Sequence, residues 1–292
     1  KEKFSTKSVS GEKSSNSYMI TGRAFSPDST KLAIAQSDHI VYIYKLGLEW
    51  GERKSICNKF DQKDAGITCI TWPFQHPGEV VFGRDDGEVK IGMLKSNKGA
   101  TLYAAESPCI ALCSSPDGHG ILSAHADGSI HRWFFKDLEG SSGFMGHAKI
   151  VQMNSIPASI GWGETIVCAG ADKKVFFFHS DGSTAQHFDL SNIKNQQEFT
   201  SLVVNPSGQS CVVGSINRFQ IFNFNIRRGQ WEEGERIDAS NLHTVTCLAW
   251  KPDGSRVVLG NTCSGASLFD ACIRRYRYRG EFEFTYVSPS QV

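Results

Sequence analysis

The chain has 292 residues, 40% of them hydrophobic and 21% charged, with 28 glycines and nine cysteines. Its 31 Lys and Arg against 30 Asp and Glu leave a net charge of +1, which gives no support to a general nucleic-acid-binding surface. No apolar run approaches the roughly 18–20 residues that a membrane-spanning helix needs, and the composition argues against disorder over most of the chain.

Glu2-Lys3-Phe4-Ser5-Thr6-Lys7 reads as a short strand. One pattern then recurs. Ser26-Pro27-Asp28 marks a turn, Asp38 a second turn, and Ile40–Tyr44 an apolar strand. Ile67–Trp72 runs into Pro73, followed by Asp86 and Val89–Leu94. The third unit is the clearest: strand Cys109–Ser114, turn Ser115-Pro116-Asp117-Gly118, strand Gly120–Ala124, turn Asp127-Gly128, strand Ile130–Phe135. In the fourth, Ile160-Gly161-Trp162-Gly163 puts glycines where the proline turn stood, before Asp172 and Val175–Phe178. The fifth has Asn205-Pro206-Ser207-Gly208, Asn217 and Phe219–Phe224, and the sixth Lys251-Pro252-Asp253-Gly254, Ser264 and Ala266–Phe269. A single helical turn is expected at Gln196–Glu198 and no longer helix anywhere.

The turn prolines lie 89, 90 and 46 residues apart, two, two and one repeats of about 45. Proline presets φ for the first central turn position, and Asp, Ser or Gly completes the turn. Short strands of Val, Ile, Phe, Tyr and Thr between such turns favour sheet over helix. Four strands at this period predict an all-β, WD40-type β-propeller, because a four-stranded blade has two apolar faces and needs a neighbour on each. The expected blades are 17–60, 66–107, 108–150, 156–190, 198–240 and 244–287. These make six complete four-stranded blades in one domain, with residues 1–7 as the outer strand of a truncated preceding blade.

The WD pattern places an aromatic residue six positions after the second-turn Asp. Asp127 with Trp133, Asp38 with Tyr44 and Asp172 with Phe178 fit that spacing. Gly146-His147 is the one Gly-His pair ahead of a blade, so His147 with Asp172 and Phe178 forms a candidate structural hydrogen-bond network. Blade two departs most, with Gly92 at its aromatic position.

Catalytic or metal chemistry finds little to build on. His125, Asp127 and His131 resemble a metal or acid–base cluster, but Asp127-Gly128 is a blade turn and the histidines flank it on adjacent strands. Cys109 and Cys113 share a strand face and read as small buried residues. The nine cysteines include no C-x-x-C pair, and no Asn-x-Ser/Thr sequon exists, both of which disfavour secretion. The candidate partner contacts are Arg274, Arg275, Arg277 and Arg279, which alternate with tyrosines from 275 onward, and Arg227, Arg228 and Trp231 in a loop of blade five, where Trp231 reads either as a core anchor or as an exposed interaction aromatic. The arginine strand suits an acidic partner or an anionic membrane surface, or is the charged face of an outer strand.

Four longer blocks carry more specific information: Ser17–Lys31, Ser123–Gly128, Trp250–Arg256 and Phe282–Val292. In these the chain resembles the N-terminal propeller region of the intraflagellar transport proteins of complex B. The resemblance implies a non-enzymatic structural subunit without cofactors, working in the cytoplasm, at the ciliary base and in the cilium or flagellum. Its implied partners are other complex B subunits and, further along its own chain, a second propeller and helical repeats. It also implies that a blade precedes Lys1, giving seven in the intact protein.

Overall fold

Hydrophobic residues two apart, separated by Asp, Gly and Pro turns, give strands of four to nine residues throughout. The computed structural model describes residues 18–47, 52, 55–135, 146–216, 218–238, 244–263, 265–271 and 274–286. The expected strand at residues 1–7 and the landmarks Asn217 and Ser264 lie outside them. All 25 regular elements among the described residues are strands, and every sheet pairing is antiparallel between chain neighbours. This is the architecture of WD40-type propeller blades. Leu190–Gln196 closes through two successive turns, Ile193 N to Leu190 O and Gln196 N to Ile193 O, so the expected helical turn at Gln196–Glu198 does not form.

The blades group into two units, Lys1–Gln152 and Met153–Val292. The first unit holds three blades. Blade one contains β1 (Ile20–Phe25), β2 (Lys31–Gln36), β3 (Ile40–Lys45) and β4 (Ser55–Asp61), and blade two β5 (Ile67–Thr71), β6 (Glu79–Arg84), β7 (Glu88–Met93) and β8 (Lys98–Ala104). Blade three contains β9 (Cys109–Ser114), β10 (Gly120–His125), β11 (Ser129–Phe134) and β12 (His147–Gln152). The first strands of successive blades pack on one another, β1 on β5 and β5 on β9. The second strand of blade two is buried from Val80 to Arg84, with blade one packed on one face and blade three on the other. Ala33, Val41 and Phe60 of blade one meet Trp72, Val80 and Phe82 of blade two; Val81 and Ile91 on the opposite face meet Cys109 and Ile121 of blade three.

Gly92, which replaces the expected aromatic residue, has a packing reason. A Cβ there would lie 2.8 Å from the ring of Phe60, a buried residue of the preceding blade. The neighbour's phenyl ring fills the place of the missing side chain.

The second unit continues the pattern. Blade four contains β13 (Pro157–Trp162), β14 (Ile166–Gly170), β15 (Lys174–Phe178) and β16 (Thr184–Asp189), and blade five β17 (Ser201–Val204), β18 (Ser210–Gly214), β19 (Arg218–Asn225) and β20 (Gln230–Asp238). Blade six shows β21 (Val245–Trp250), β22 (Arg256–Asn261) and β23 (Ala266–Asp270) in one sheet. The arginine strand, β24 (Arg274–Tyr278), pairs with β25 (Phe282–Tyr286) in a separate two-stranded hairpin, joined at Tyr278 opposite Phe282.

The turns use the chemistry that the sequence announces. In the first blade the Ser26 hydroxyl donates to Asp28 Oδ1 while Lys31 N donates to Ser26 Oγ. At the second turns, carboxylates of Asp38, Asp86, Asp127 and Asp172 accept the amide two residues on.

Candidate functional site

Three places gather the residues singled out from sequence. The first is the turn joining β19 to β20. Asn225 Oδ1 accepts from the amides of Arg227 and Arg228, which folds the turn back and leaves both arginine side chains outside. Arg228 pairs with Glu232 at 3.2 Å, an exposed contact worth at most about 1 kcal/mol. Ile226 is 47% exposed at the tip. Two open hollows, of about 300 and 500 Å³, flank the hairpin and share Phe224 as a wall.

Trp231, a partner-contact candidate on sequence grounds, belongs to the core instead and is only 2% exposed. Its indole Nε1 donates to Thr165 Oγ1 of blade four at 2.9 Å, and its ring stacks on Phe177 at 4.5 Å. Gln186 completes the join, accepting from Trp231 N and donating to Trp231 O. An indole has a large apolar body and one donor, and both are satisfied between two blades.

The second place is the β24–β25 hairpin. Tyr278, Phe282 and Phe284 are exposed, as are Arg277 and Arg279, and the Arg279 guanidinium lies 5.2 Å from the Tyr278 ring centre. Arg274 and Arg275 lie within the strand, but their side chains fall outside the described residues.

The third place is a polar network in blade three, with one end on β8. Tyr103 Oη donates to Ser123 Oγ, Ser123 donates to His125 Nε2, and His125 Nδ1 donates to the Ser107 carbonyl. The carbonyl can only accept, which assigns every proton in that chain. Beside it, Asp127 accepts from the Ser129 hydroxyl, Ser129 Oγ accepts from His131 Nε2 at 3.0 Å, and His131 Nδ1 accepts from His147 Nε2 at 2.6 Å. The imidazoles of His131 and His147 are coplanar within 2°, and Tyr103 stacks on His147 at 4.2 Å.

Burial lowers the affinity of all three imidazoles for a proton. It brings His131 to about 4, assisted by the charges of His125, His147 and Lys149, and also lowers His125 and His147. Burial acts against the Asp127 carboxylate, but the Ser129 hydroxyl and amide outweigh it and hold its pKa below the usual range. Among the described residues, no group of three or more His, Cys, Asp or Glu is placed to hold a metal ion.

The structure thus redraws the expected aromatic–Asp network. His147 hydrogen-bonds His131 within its own sheet, while Asp172 caps the amide of Lys174 and Phe178 is buried against Phe176. Asp38 accepts from Tyr42 Oη at 2.9 Å, although Tyr44 had the expected spacing. Trp133 meets Phe135 edge to face at 4.7 Å. What sequence reasoning missed is the pairing of histidines across neighbouring strands. His131 pairs with Lys149 in the ladder and His147 with Trp133, a register that spacing alone does not set.

A family model described as WD domain, G-beta repeat matches residues 97–133, which span β8 to β11 apart from its last residue. Along all of its length the chain is 46% identical to the mouse and human intraflagellar transport protein 172 homologs. It is 45% identical, again along all of its length, to intraflagellar transport protein 172 of Chlamydomonas reinhardtii. It spans only about one sixth of the length of these relatives, 16% of the two mammalian proteins and 17% of the algal one. Whole-chain identity at this level, on WD40 blades, places the chain in the intraflagellar transport protein 172 family.

Proposed function

We propose that this chain is a non-enzymatic binding platform of an intraflagellar transport assembly, a structural part of complex B at the ciliary base and in the cilium or flagellum. The observation that carries the reading is the unbroken similarity to intraflagellar transport proteins of mouse, human and alga. The geometry suits such a role. Buried blades hold exposed hairpin ends in fixed positions, and rigid scaffolds carrying exposed loops are the usual arrangement for recognition. The titratable groups of blade three are engaged with one another, which suits structure better than turnover.

The contacts assigned to partners are the β19–β20 tip, through Ile226, Arg227 and Arg228, and the β24–β25 hairpin, through Arg274, Arg275, Arg277 and Arg279. Other complex B subunits are the partners, together with the second propeller and helical repeats of the longer protein. Affinity capture from ciliated cells with the tagged chain tests this. Recovery of complex B subunits is expected, lost or reduced on Arg227→Glu/Arg228→Glu substitution. A folded chain that captures none of them would sink the reading.

The amphipathic character of the β24–β25 hairpin favours a second reading, contact with an anionic membrane. Its exposed Tyr278, Phe282 and Phe284 beside Arg277 and Arg279 match the aromatic and basic composition of interfacial segments. Co-sedimentation with phosphatidylserine vesicles, unchanged by Arg275→Glu/Arg277→Glu/Arg279→Glu, would remove it.

A further inference from the structure

Cys69 and Cys109 stand 40 residues apart in the chain and on different blades, yet their sulfurs are 3.6 Å apart. The approach is built into the backbone: Thr68 Oγ1 donates to the Cys109 carbonyl at 2.5 Å, tying β5 to β9 beside the sulfurs. Gly83 on β6 leaves the space that they occupy, since a Cβ there would lie 2.8 Å from Cys69 Sγ and closer still to Cys109 Sγ. Both thiols are free.

We propose that Cys69 and Cys109 are a modification site, closing a reversible disulfide between blades two and three when a low-molecular-weight disulfide such as oxidised glutathione is present. Cys69 is partly exposed and Cys109 is fully buried, so by geometry alone Cys69 is the thiol that meets a soluble disulfide first. Burial pushes the Cys69 thiol up, but the hydrogen bond from Cys109 leads the contacts that outweigh it and bring the thiol below its ordinary value. The hydrogen bond to Cys69, and then burial, hold Cys109 well above its own. The more acidic, more reachable sulfur is therefore the nucleophile.

In the first step the Cys69 thiolate attacks one sulfur of glutathione disulfide, forming a mixed disulfide and expelling one glutathione thiolate. Cys109 then gives up its proton, and its sulfur attacks Cys69 Sγ. The Cys69–Cys109 bond forms, the Cys69–glutathione bond breaks, and a second glutathione leaves. Two protein thiols are oxidised and one glutathione disulfide is reduced to two thiols. The sulfurs must close from 3.6 Å to about 2.05 Å, a movement shared by two side chains. Cys113, on the same strand as Cys109, is a poor competitor because burial pushes its thiol up to about 12.

The test uses the unmodified chain, equilibrated in glutathione buffers from fully reduced to fully oxidised, capped with N-ethylmaleimide and digested with trypsin. The expected product joins peptide Asp64–Arg84 to peptide Gly99–Arg132, two hydrogens lighter than the pair of thiol peptides, with the link at Cys109. Dithiothreitol should release it, Cys113→Ser should keep it, and Cys69→Ser should abolish it. Full alkylation of both thiols in the most oxidising buffer overturns the proposal. So does a glutathione adduct that persists on Cys69, or a link from Cys69 to Cys113.

Discussion

The first two strands of blades two and six are built on similar sequences and live in different surroundings. Ile67-Thr68-Cys69-Ile70-Thr71-Trp72 corresponds to Val245-Thr246-Cys247-Leu248-Ala249-Trp250, and Val80-Val81-Phe82-Gly83 to Val257-Val258-Leu259-Gly260. In blade two the second strand is buried on both faces. Val80 and Phe82 lie against blade one, and Val81 lies against Cys109 and Ile121 of blade three. In blade six the same strand alternates. Val257 and Leu259 are buried against blade five, while Val258 and its cross-strand partner Leu268 are exposed, the latter by 59%.

The hydroxyls differ in the same way. Thr68 reaches the following blade's Cys109 carbonyl, as Thr200 of blade five reaches the Val245 carbonyl at 2.5 Å. Among the described residues, Thr246 lies near only its own neighbour, Cys247 Sγ, at 4.0 Å. Nearly the same strand sequence is thus buried on both faces where a blade packs on each, as in blade two, and alternates where one face is exposed.

Substitutions at matched positions can break this comparison. The largest effect is expected at the shared core: Phe82→Ala should cost about 3–5 kcal/mol in denaturant unfolding. By contrast, Leu268→Ala on the open face should cost less than about 0.5 kcal/mol. Equal losses at both would mean that the open face is covered in solution.

The glycines come next. Gly83→Ala forces a methyl group against two sulfurs enclosed by two blades and should cost about 1–3 kcal/mol. Gly260→Ala places its methyl group 2.5 Å from Cys247 Sγ, which is only half-buried and can turn away, so its cost should be smaller. Thr68→Val should lose about 1 kcal/mol with its inter-blade hydrogen bond, and Thr246→Val close to nothing, both read from the midpoint of the unfolding curve.

A separate effect, outside the matched pairs, is that of pH on blade three. The unfolded chain takes up protons on its histidines near pH 6.5, whereas folded His131 resists down to about 4. The unfolded state thus binds more protons across that window, so stability falls as pH drops from 6.5 toward 4. Thermal scans should show the decline, and His131→Asn should flatten it. An unchanged slope would remove His131 as its source.

Much of the fold was legible in the sequence. The third strands fall within a residue or so of Ile40–Tyr44, Val175–Phe178 and Phe219–Phe224, and the first two follow Asp turns, because an Asx turn and an alternating apolar strand are both local. Contacts between repeats were harder to read. Nothing near Gly92 announces that Phe60 fills its place, and the burial of Trp231 depends on Thr165, 66 residues earlier. One such contact did leave a trace: Cys69 and Cys109 are about one repeat apart on corresponding strands, which is where neighbouring blades touch. The arginine strand was expected as the outer strand of blade six, but the residues after it, Phe282–Tyr286, offer it a closer partner through a three-residue connection, Arg279 to Glu281, with positive φ at Arg279 and Gly280.

The central claim is that exposed hairpin ends on this scaffold contact other proteins of a transport assembly. Hydroxyl-radical footprinting of the full protein, alone and in the complex captured from ciliated cells, tests it most directly. Modification of Ile226, and of Tyr278, Phe282 and Phe284, should fall severalfold on assembly while exposed Phe74 stays reactive. Unchanged modification at all four residues, in a complex shown to be intact, would contradict the account.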